Sequence, residues 1–377
     1  ASLLDERGVC AGEAREGYAV LTPQPGWAEQ NPMDWLRASA AAVRRLLSET
    51  RVDPRRVAGA ALTSAAHIGV LLDDRNQPVR PAILWNDQRT VAEVADLERE
   101  AGGEILRTTC QAVSTGWTLA HLLWVRRREP EAWRRVRRIL LSKDFLLYEL
   151  TGVAATDPAT AVSSQLWDVA AGCWSARLCG LAGVNPDLLP PVMPATAVAG
   201  GLTAAAAQNL ELPAGLPVVV GTLDSATELL AAGLTEPGAS LVRLATAGGV
   251  ERVVAGPVPD RRRITYPHAA NPAWYCQAGT STCAAAVQWG RQVFGGGDRP
   301  CSYDDWNAEA ARVPAGSEGV LFHPYLAGER APYWDPNLRA SFTGLALGHG
   351  RGHLARAIYE GTAFSIRQAL SVLPETT

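Results

Sequence analysis

Pro217-Val218-Val219-Val220-Gly221-Thr222-Leu223-Asp224-Ser225-Ala226-Thr227-Glu228-Leu229-Leu230 decides the fold class. The apolar run ending at Gly221 reads as a strand buried on both faces, and the residues after Asp224 read as a helix. Asp224 therefore stands at a strand-to-helix junction, and ligands of open α/β sheets gather outside such strand ends. A carboxylate there can take a proton from a substrate hydroxyl. It can equally cap the orphan N–H groups of the helix that follows, and position alone leaves both readings open.

Upstream, Asn31-Pro32-Met33-Asp34 signals a helix start, with Asn31 as cap, and apolar residues recur helically as far as Thr50. Residues 57–63, 70–72 and 81–85 are short apolar runs separated by turn chemistry and are read as strands of one sheet. Helical periodicity returns over 91–100, 118–127 and 131–141. Downstream of a linker at 233–238, residues 240–244, 250–254 and 320–325 read as strands, and 281–293 and 353–370 as helices. Strands and helices alternate, so the class is α/β. The break near Gly233 predicts domains at 1–232 and 233–377.

The chain has 377 residues, 47% of them hydrophobic, enough for two cored domains. Its 35 Lys and Arg against 38 Asp and Glu give a net charge of −3, which offers no attraction to nucleic acid or anionic lipid. The arginines between 126 and 138 read as a solvated helix face. Charged residues break every long apolar run, so no membrane span is expected. Seven scattered cysteines lack zinc-site spacing and read as reduced thiols of a cytoplasmic protein. Lys143, the single lysine, reads as coding bias more than chemistry.

Other motifs have a bland reading beside the functional one. Thr246-Ala247-Gly248-Gly249 would let backbone N–H groups approach a phosphate, and a hairpin turn needs the same glycines. His121 falls on an apolar helix face and reads as structural, whereas His67, at a strand end, is open. Gly279-Thr280-Ser281-Thr282-Cys283 lacks the last glycine of a nucleophile elbow and reads as a helix start.

Several longer strings together resemble the FGGY carbohydrate kinases, most closely their xylulokinase branch. They are Pro25-Gly26-Trp27-Ala28-Glu29-Gln30-Asn31-Pro32, Ile83-Leu84-Trp85-Asn86-Asp87-Gln88-Arg89-Thr90, Lys143-Asp144-Phe145-Leu146-Leu147-Tyr148, Leu150-Thr151-Gly152 and Thr156-Asp157. Gly328-Glu329-Arg330-Ala331-Pro332-Tyr333-Trp334-Asp335-Pro336 and Glu360-Gly361-Thr362-Ala363-Phe364 complete the set, which spans nearly the whole chain in family order.

The resemblance implies two ribonuclease-H-like domains of the actin and hexokinase type around a cleft, where the γ-phosphate of MgATP passes to a sugar hydroxyl. It implies Asp224 as the catalytic base and His67, Trp85, Asn86 and Asp87 as the sugar pocket. Thr246, Gly248 and Gln288 fall on its ATP side, and no residue is assigned as a dedicated metal ligand. The implied substrate is a ketose, D-xylulose foremost, and the implied assembly a homodimer. The alternatives are a non-catalytic sugar-binding or regulatory homologue and a kinase for another ketose or polyol.

The departures from the family pattern are local. Ser64-Ala65-Ala66-His67-Ile68 keeps the histidine of the family's sugar string but not its glutamine and methionine, which predicts a roomier pocket. Ala245, Ala247 and Ala284 replace small phosphate-side and nucleotide-side residues, and His121 stands where a lysine is usual. Relative to the family the chain also lacks a first phosphate loop and an adenosine segment, which predicts a fragment of a longer kinase.

Overall fold

The computed structural model describes residues 1–270, 272–296, 301–335 and 337–375. The chain forms two compact units. The first comprises Ala1–Gly233 with a short segment that starts at Tyr266, and the second comprises Leu234–Thr265 and the chain from Pro272 onward.

In the first unit the helix Pro32–Thr50 begins as its sequence dictates, with the Asn31 side chain accepting from Met33 N at 3.1 Å. Its inner face carries Trp35, Ala38, Ala42 and Leu46, all buried. The helix Val91–Thr109 runs past its expected end at residue 100 and through Gly102-Gly103. Glycine is a poor helix former, but Ala101, Gly102 and Ile105 are buried there, and packing outweighs propensity.

Two expectations are corrected. Residues 131–141 are not one helix: Pro130–Arg135 is helical, and Arg138–Leu141 is a strand antiparallel to Gly69–Leu72. Ile139, Leu140 and Leu141 are all buried, which a strand covered on both faces accommodates and a one-faced helix does not. The runs at 57–63, 70–72 and 81–85 do not join one sheet either. Thr63–Ser64 pairs in parallel with Thr222–Leu223, whereas Ala82–Ile83 pairs with Glu29–Gln30. Residues 57–62 contribute only a bridge from Ala60 to Val218.

The parallel pair at Thr222–Leu223 fixes the start of the helix Asp224–Ala231. Gly221 sits at φ 74°, and a Cβ there would overlap the Leu62 carbonyl oxygen, so only glycine lets these strands approach. Behind them lies a buried ionic cluster. Lys143 Nζ is 2.6 Å from Asp144 Oδ1 and 3.1 Å from Asp157 Oδ1, with all three side chains shielded from solvent. Asp157 Oδ2 accepts from Thr222 Oγ1 at 2.7 Å and from Ala159 N at 3.1 Å, capping the short helix Pro158–Ser163. Burial pushes Asp144 up despite its lysine, while Lys143, which burial alone would lower, is raised by the two carboxylates. The single lysine thus carries the chemistry that composition hid.

The second unit holds a sheet in which Ser240–Leu244, Gly248–Val254 and Trp274–Gly279 are neighbours in that order. Its helices Ala284–Phe294, Tyr303–Ala311 and Arg351–Ser371 share a core that includes Ala286, Trp306, Phe322 and Ile358. No helix among the described residues is long and apolar enough to cross a membrane. Cys110, Cys179, Cys276 and Cys283 are buried.

His121, on the helix Thr118–Arg128, is buried, with Nε2 at 2.9 Å from the Thr115 carbonyl. That carbonyl must accept, so Nε2 carries the proton; Nδ1 is buried with no hydrogen-bond partner among the described residues. Burial, reinforced by the Arg89 and Arg80 charges and opposed by Asp87, lowers its pKa to about 4.

Two outcomes follow for stability. Replacing Lys143 with Met leaves two buried carboxylates without a cation, and urea titration is expected to show a loss of about 3–5 kcal/mol. His121 binds a proton more weakly folded than unfolded, so its contribution is complete above the unfolded value of 6.5 and is lost as pH falls toward about 4. The wild-type minus His121→Gln stability difference should therefore fall on acidification through that window, with a slope approaching about 1.4 kcal/mol per pH unit.

Candidate active site

Asp224 is exposed and is the first residue of its helix; Leu223 occupies the cap position. Its Oδ1 accepts from Ser225 N at 2.7 Å, so the carboxylate lies at a helix N-terminus, where negative charge is favoured. The strand beneath it is held twice, by Thr222 on Asp157 and by the parallel register with Thr63–Ser64. Ser64 Oγ in turn lies 2.7 Å from Ser142 Oγ, next to Lys143. An exposed carboxylate on such a rigid base can hold and deprotonate a hydroxyl.

His67 follows Thr63–Ser64 at φ 68°, a left-handed conformation unusual for a side chain this large. It is buried, with Nδ1 at 2.6 Å from the Ser163 carbonyl and Nε2 at 2.7 Å from the Tyr266 hydroxyl. Its ring stacks on Trp117 at 3.5 Å between centroids, and its carbonyl accepts from Thr118 Oγ1. Burial lowers its pKa to about 3, so the ring is neutral. His67, the histidine expected in the sugar pocket, thus has protein partners on both ring nitrogens.

The expected pocket residues 85–87 divide. Trp85 is 45% exposed, so its ring face is open to a ligand's C–H surface, and Asn86 is exposed beside it. A Cβ on Gly116 would overlap the Trp85 carbonyl oxygen, which fixes the backbone of this loop. Asp87 turns inward and is fully buried. It accepts from Ala28 N at 2.6 Å, from Arg89 N and Nε at 2.8 and 2.9 Å, and from Arg89 Nη2 at 2.8 Å. Asp87, expected in the sugar pocket, thus ties the loop together, with backbone and guanidinium donors on its oxygens.

In the second unit, Thr246 is exposed at the tip of the hairpin that joins Ser240–Leu244 to Gly248–Val254. The Thr246 carbonyl accepts from Cys283 N and Ala285 N, and that of Ala245 from Ala284 N, so this loop caps the helix Ala284–Phe294. Gly248 N donates to Thr280 Oγ1 at 3.1 Å, and a Cβ on Gly248 would lie 2.9 Å from that oxygen. Gly248, expected on the ATP side, is thus packed too closely for a side chain. Gln288 is exposed one turn beyond Ala284, itself exposed, on the same helix face.

Glu329 accepts from Ser281 N, Arg330 N and Ser365 Oγ, and Arg330 donates to the Thr280 carbonyl. The string from Gly328 thus braces the turn before that helix; its Pro336 lies outside the described residues.

Sequence reasoning missed Tyr266 and Gln111. Tyr266 is buried, and burial with the nearby Asp224 charge raises its pKa well above 10. The Gln111 amide lies beside its hydroxyl and is itself fully buried. Neither residue belongs to a local motif, and only the fold brings them to His67.

The family model for the N-terminal domain of the FGGY family of carbohydrate kinases matches residues 1–231, and that for its C-terminal domain matches 250–377. A xylulose kinase of Lactococcus lactis is 32% identical over 375 residues, 99% of this chain and 74% of the relative. A Bacillus subtilis gluconokinase is 26% identical over 385 residues, 100% of this chain and 74% of the relative. The crystal structure of xylulose kinase from Rhodospirillum rubrum superposes with a TM-score of 0.92 at 32% identity, covering 98% of this chain and 75% of that one. Both domain models match in their natural order, and the fold agrees with them: the chain belongs to the FGGY family of carbohydrate kinases.

Proposed function

We propose that this carbohydrate kinase phosphorylates a neutral ketose, D-xylulose foremost, with Asp224 as the base that orients and deprotonates the accepting hydroxyl. The observation that supports the base role is the exposed Asp224 carboxylate on a strand anchored by the buried Lys143 cluster. Phosphoryl transfer asks the protein for positioning and for charge stabilisation more than for covalent chemistry. A fixed carboxylate aligned with the attacking hydroxyl supplies the first.

The substrate class is supported by the xylulose kinases of about one-third identity and by the character of the buried polar groups in the first unit. His67 is neutral, and Tyr266 and Gln111 carry no charge. Uncharged donors and acceptors suit hydroxyls better than the carboxylate of an aldonic acid, which favours a ketose over gluconate. Trp85 and Asn86 supply an open aromatic face and a polar tip on the same loop.

ATP is the donor used by this family. Thr246, Ala284 and Gln288 form an exposed edge of small and polar groups in the second unit, which fits a nucleotide. Among the described residues no cluster of three acidic, histidine or cysteine side chains could cage a metal ion. Mg2+ fits this chain as an ion that arrives with the phosphates, since it needs only one or two carboxylates from a protein. The ion would neutralise the charge of the transferred phosphoryl group.

An ADP-release assay over ketoses, polyols and gluconate tests this reading. Sugar-dependent turnover is expected to be greatest with D-xylulose and to fall about 10²- to 10⁴-fold in Asp224→Asn, with sugar binding by calorimetry retained. Unchanged turnover in that variant would remove Asp224 from the chemistry, and a preference for gluconate would overturn the substrate.

A further inference from the structure

Trp85 and Asn86 are the two central residues of a tight turn, closed by Asp87 N donating to the Leu84 carbonyl at 3.0 Å. Both ends of the turn are anchored, by Leu84 N on the Ala28 carbonyl and by the Asp87 carboxylate on Ala28 N and Arg89. Its middle, where the Trp85 side chain stands open to solvent, rests on Gly116. The contact is so close that a Cβ on Gly116 would overlap the Trp85 carbonyl oxygen.

Gly116 lies in the loop between the helices Val91–Thr109 and Thr118–Arg128, and its position is set one residue earlier. The Thr115 carbonyl accepts from Thr90 Oγ1 and from His121 Nε2, each at 2.9 Å, which occupies both lone pairs of that oxygen. Both donors are buried. Thr115 Oγ1 adds a bond to Gln88 Oε1 at 3.0 Å, on the same stretch of chain as Trp85.

Thr90 forgoes a local bond to make this one. It stands at the cap position of the helix Val91–Thr109, where a threonine hydroxyl ordinarily accepts from the first turn. Here it makes no such bond among the described residues and turns to Thr115 instead. His121 projects from a stretch of helix whose neighbours Leu119, Ala120, Leu122 and Leu123 are apolar and buried. Two polar side chains thus converge on one carbonyl of an irregular loop, and the next residue of that loop is the one packed on Trp85.

We propose that Thr90 and His121 are positioning residues for sugar binding: through the Thr115 carbonyl they hold Gly116 against the Trp85 turn and so fix the aromatic wall on which the sugar lies. A ring on an exposed turn selects a sugar face only while its place is fixed, because a shift of about 1 Å in such a contact is enough to lose binding and alignment. The inference rests on the reading of Trp85 as the open aromatic face of the sugar pocket.

The test is a set of double-mutant cycles read as kcat and KM in the ADP-release assay. Trp85→Ala is expected to raise KM for the preferred sugar about tenfold. Thr90→Val keeps the shape of the side chain and removes the donor; it should raise sugar KM about three- to tenfold while kcat and KM for ATP change less than about twofold. Thr90→Ser should restore the wild-type KM, and His121→Leu should act in the same direction as Thr90→Val. In the Trp85→Ala background neither Thr90→Val nor His121→Leu should raise KM further, because the ring they hold is gone. An equal increase in both backgrounds, or losses in kcat and both KM values that Thr90→Ser does not rescue, makes the pair structural and overturns the inference. Gly116→Ala disturbs the same contact from the loop side and provides the answer should Thr90→Val not fold: an increase in sugar KM that vanishes without the ring supports the inference, and one that persists overturns it. If Trp85→Ala itself leaves sugar KM unchanged, the aromatic-wall reading fails and takes this inference with it. If Trp85→Ala raises KM and folded Thr90→Val does not, this inference alone is overturned.

Discussion

The first unit depends on one buried cation. Lys143 satisfies Asp144 and Asp157 together, and Asp157 then does two further jobs: it caps the helix Pro158–Ser163 and accepts from Thr222. Each link fails without the lysine, because an unpaired buried carboxylate either takes up a proton or admits water. Held by these links, the strand that ends at Leu223 presents Asp224 at the surface with little freedom in its backbone. Gly221 makes the arrangement possible from the other side by letting the Leu62 carbonyl come close. Positioning of the Asp224 carboxylate is therefore decided by buried groups beneath it.

Charge in this unit is spent on architecture. Arg80 and Arg89 both bind Glu29, Arg89 also grips Asp87, and its guanidinium lies 3.7 Å over the Trp27 ring. Strings that identify the family, Trp27 to Gln30 and Trp85 to Arg89, are thus recognisable partly because they build this network. A string can mark a family through its scaffold as strongly as through its chemistry.

That distinction explains what the sequence revealed and what it concealed. The helix Pro32–Thr50 was legible because its cap and its apolar face are local, and Asp224 because a strand, a glycine and a helix start lie within a few residues. Arg138–Leu141 was misread, since consecutive buried residues fit either element until the partner strand Gly69–Leu72 is known. The inward turn of Asp87 and the packing role of Gly248 were hidden in the same way, because each depends on what lies across the fold. His67 shows the limit most plainly: its partners lie 96 and 199 residues away in the chain. No periodicity or spacing reports a contact of that kind.

The burial of Lys143 also shapes how the protein meets its chemical surroundings. It is the only lysine in the sequence, and its side chain is shut away from solvent. Enzymes that acetylate or ubiquitinate lysine find no exposed ε-amine on the folded chain, and proteases that cut after lysine find no accessible bond there. Amine-directed reagents would reach this side chain only when the ionic cluster opens, which makes its labelling a natural reporter of the unfolding of the first unit.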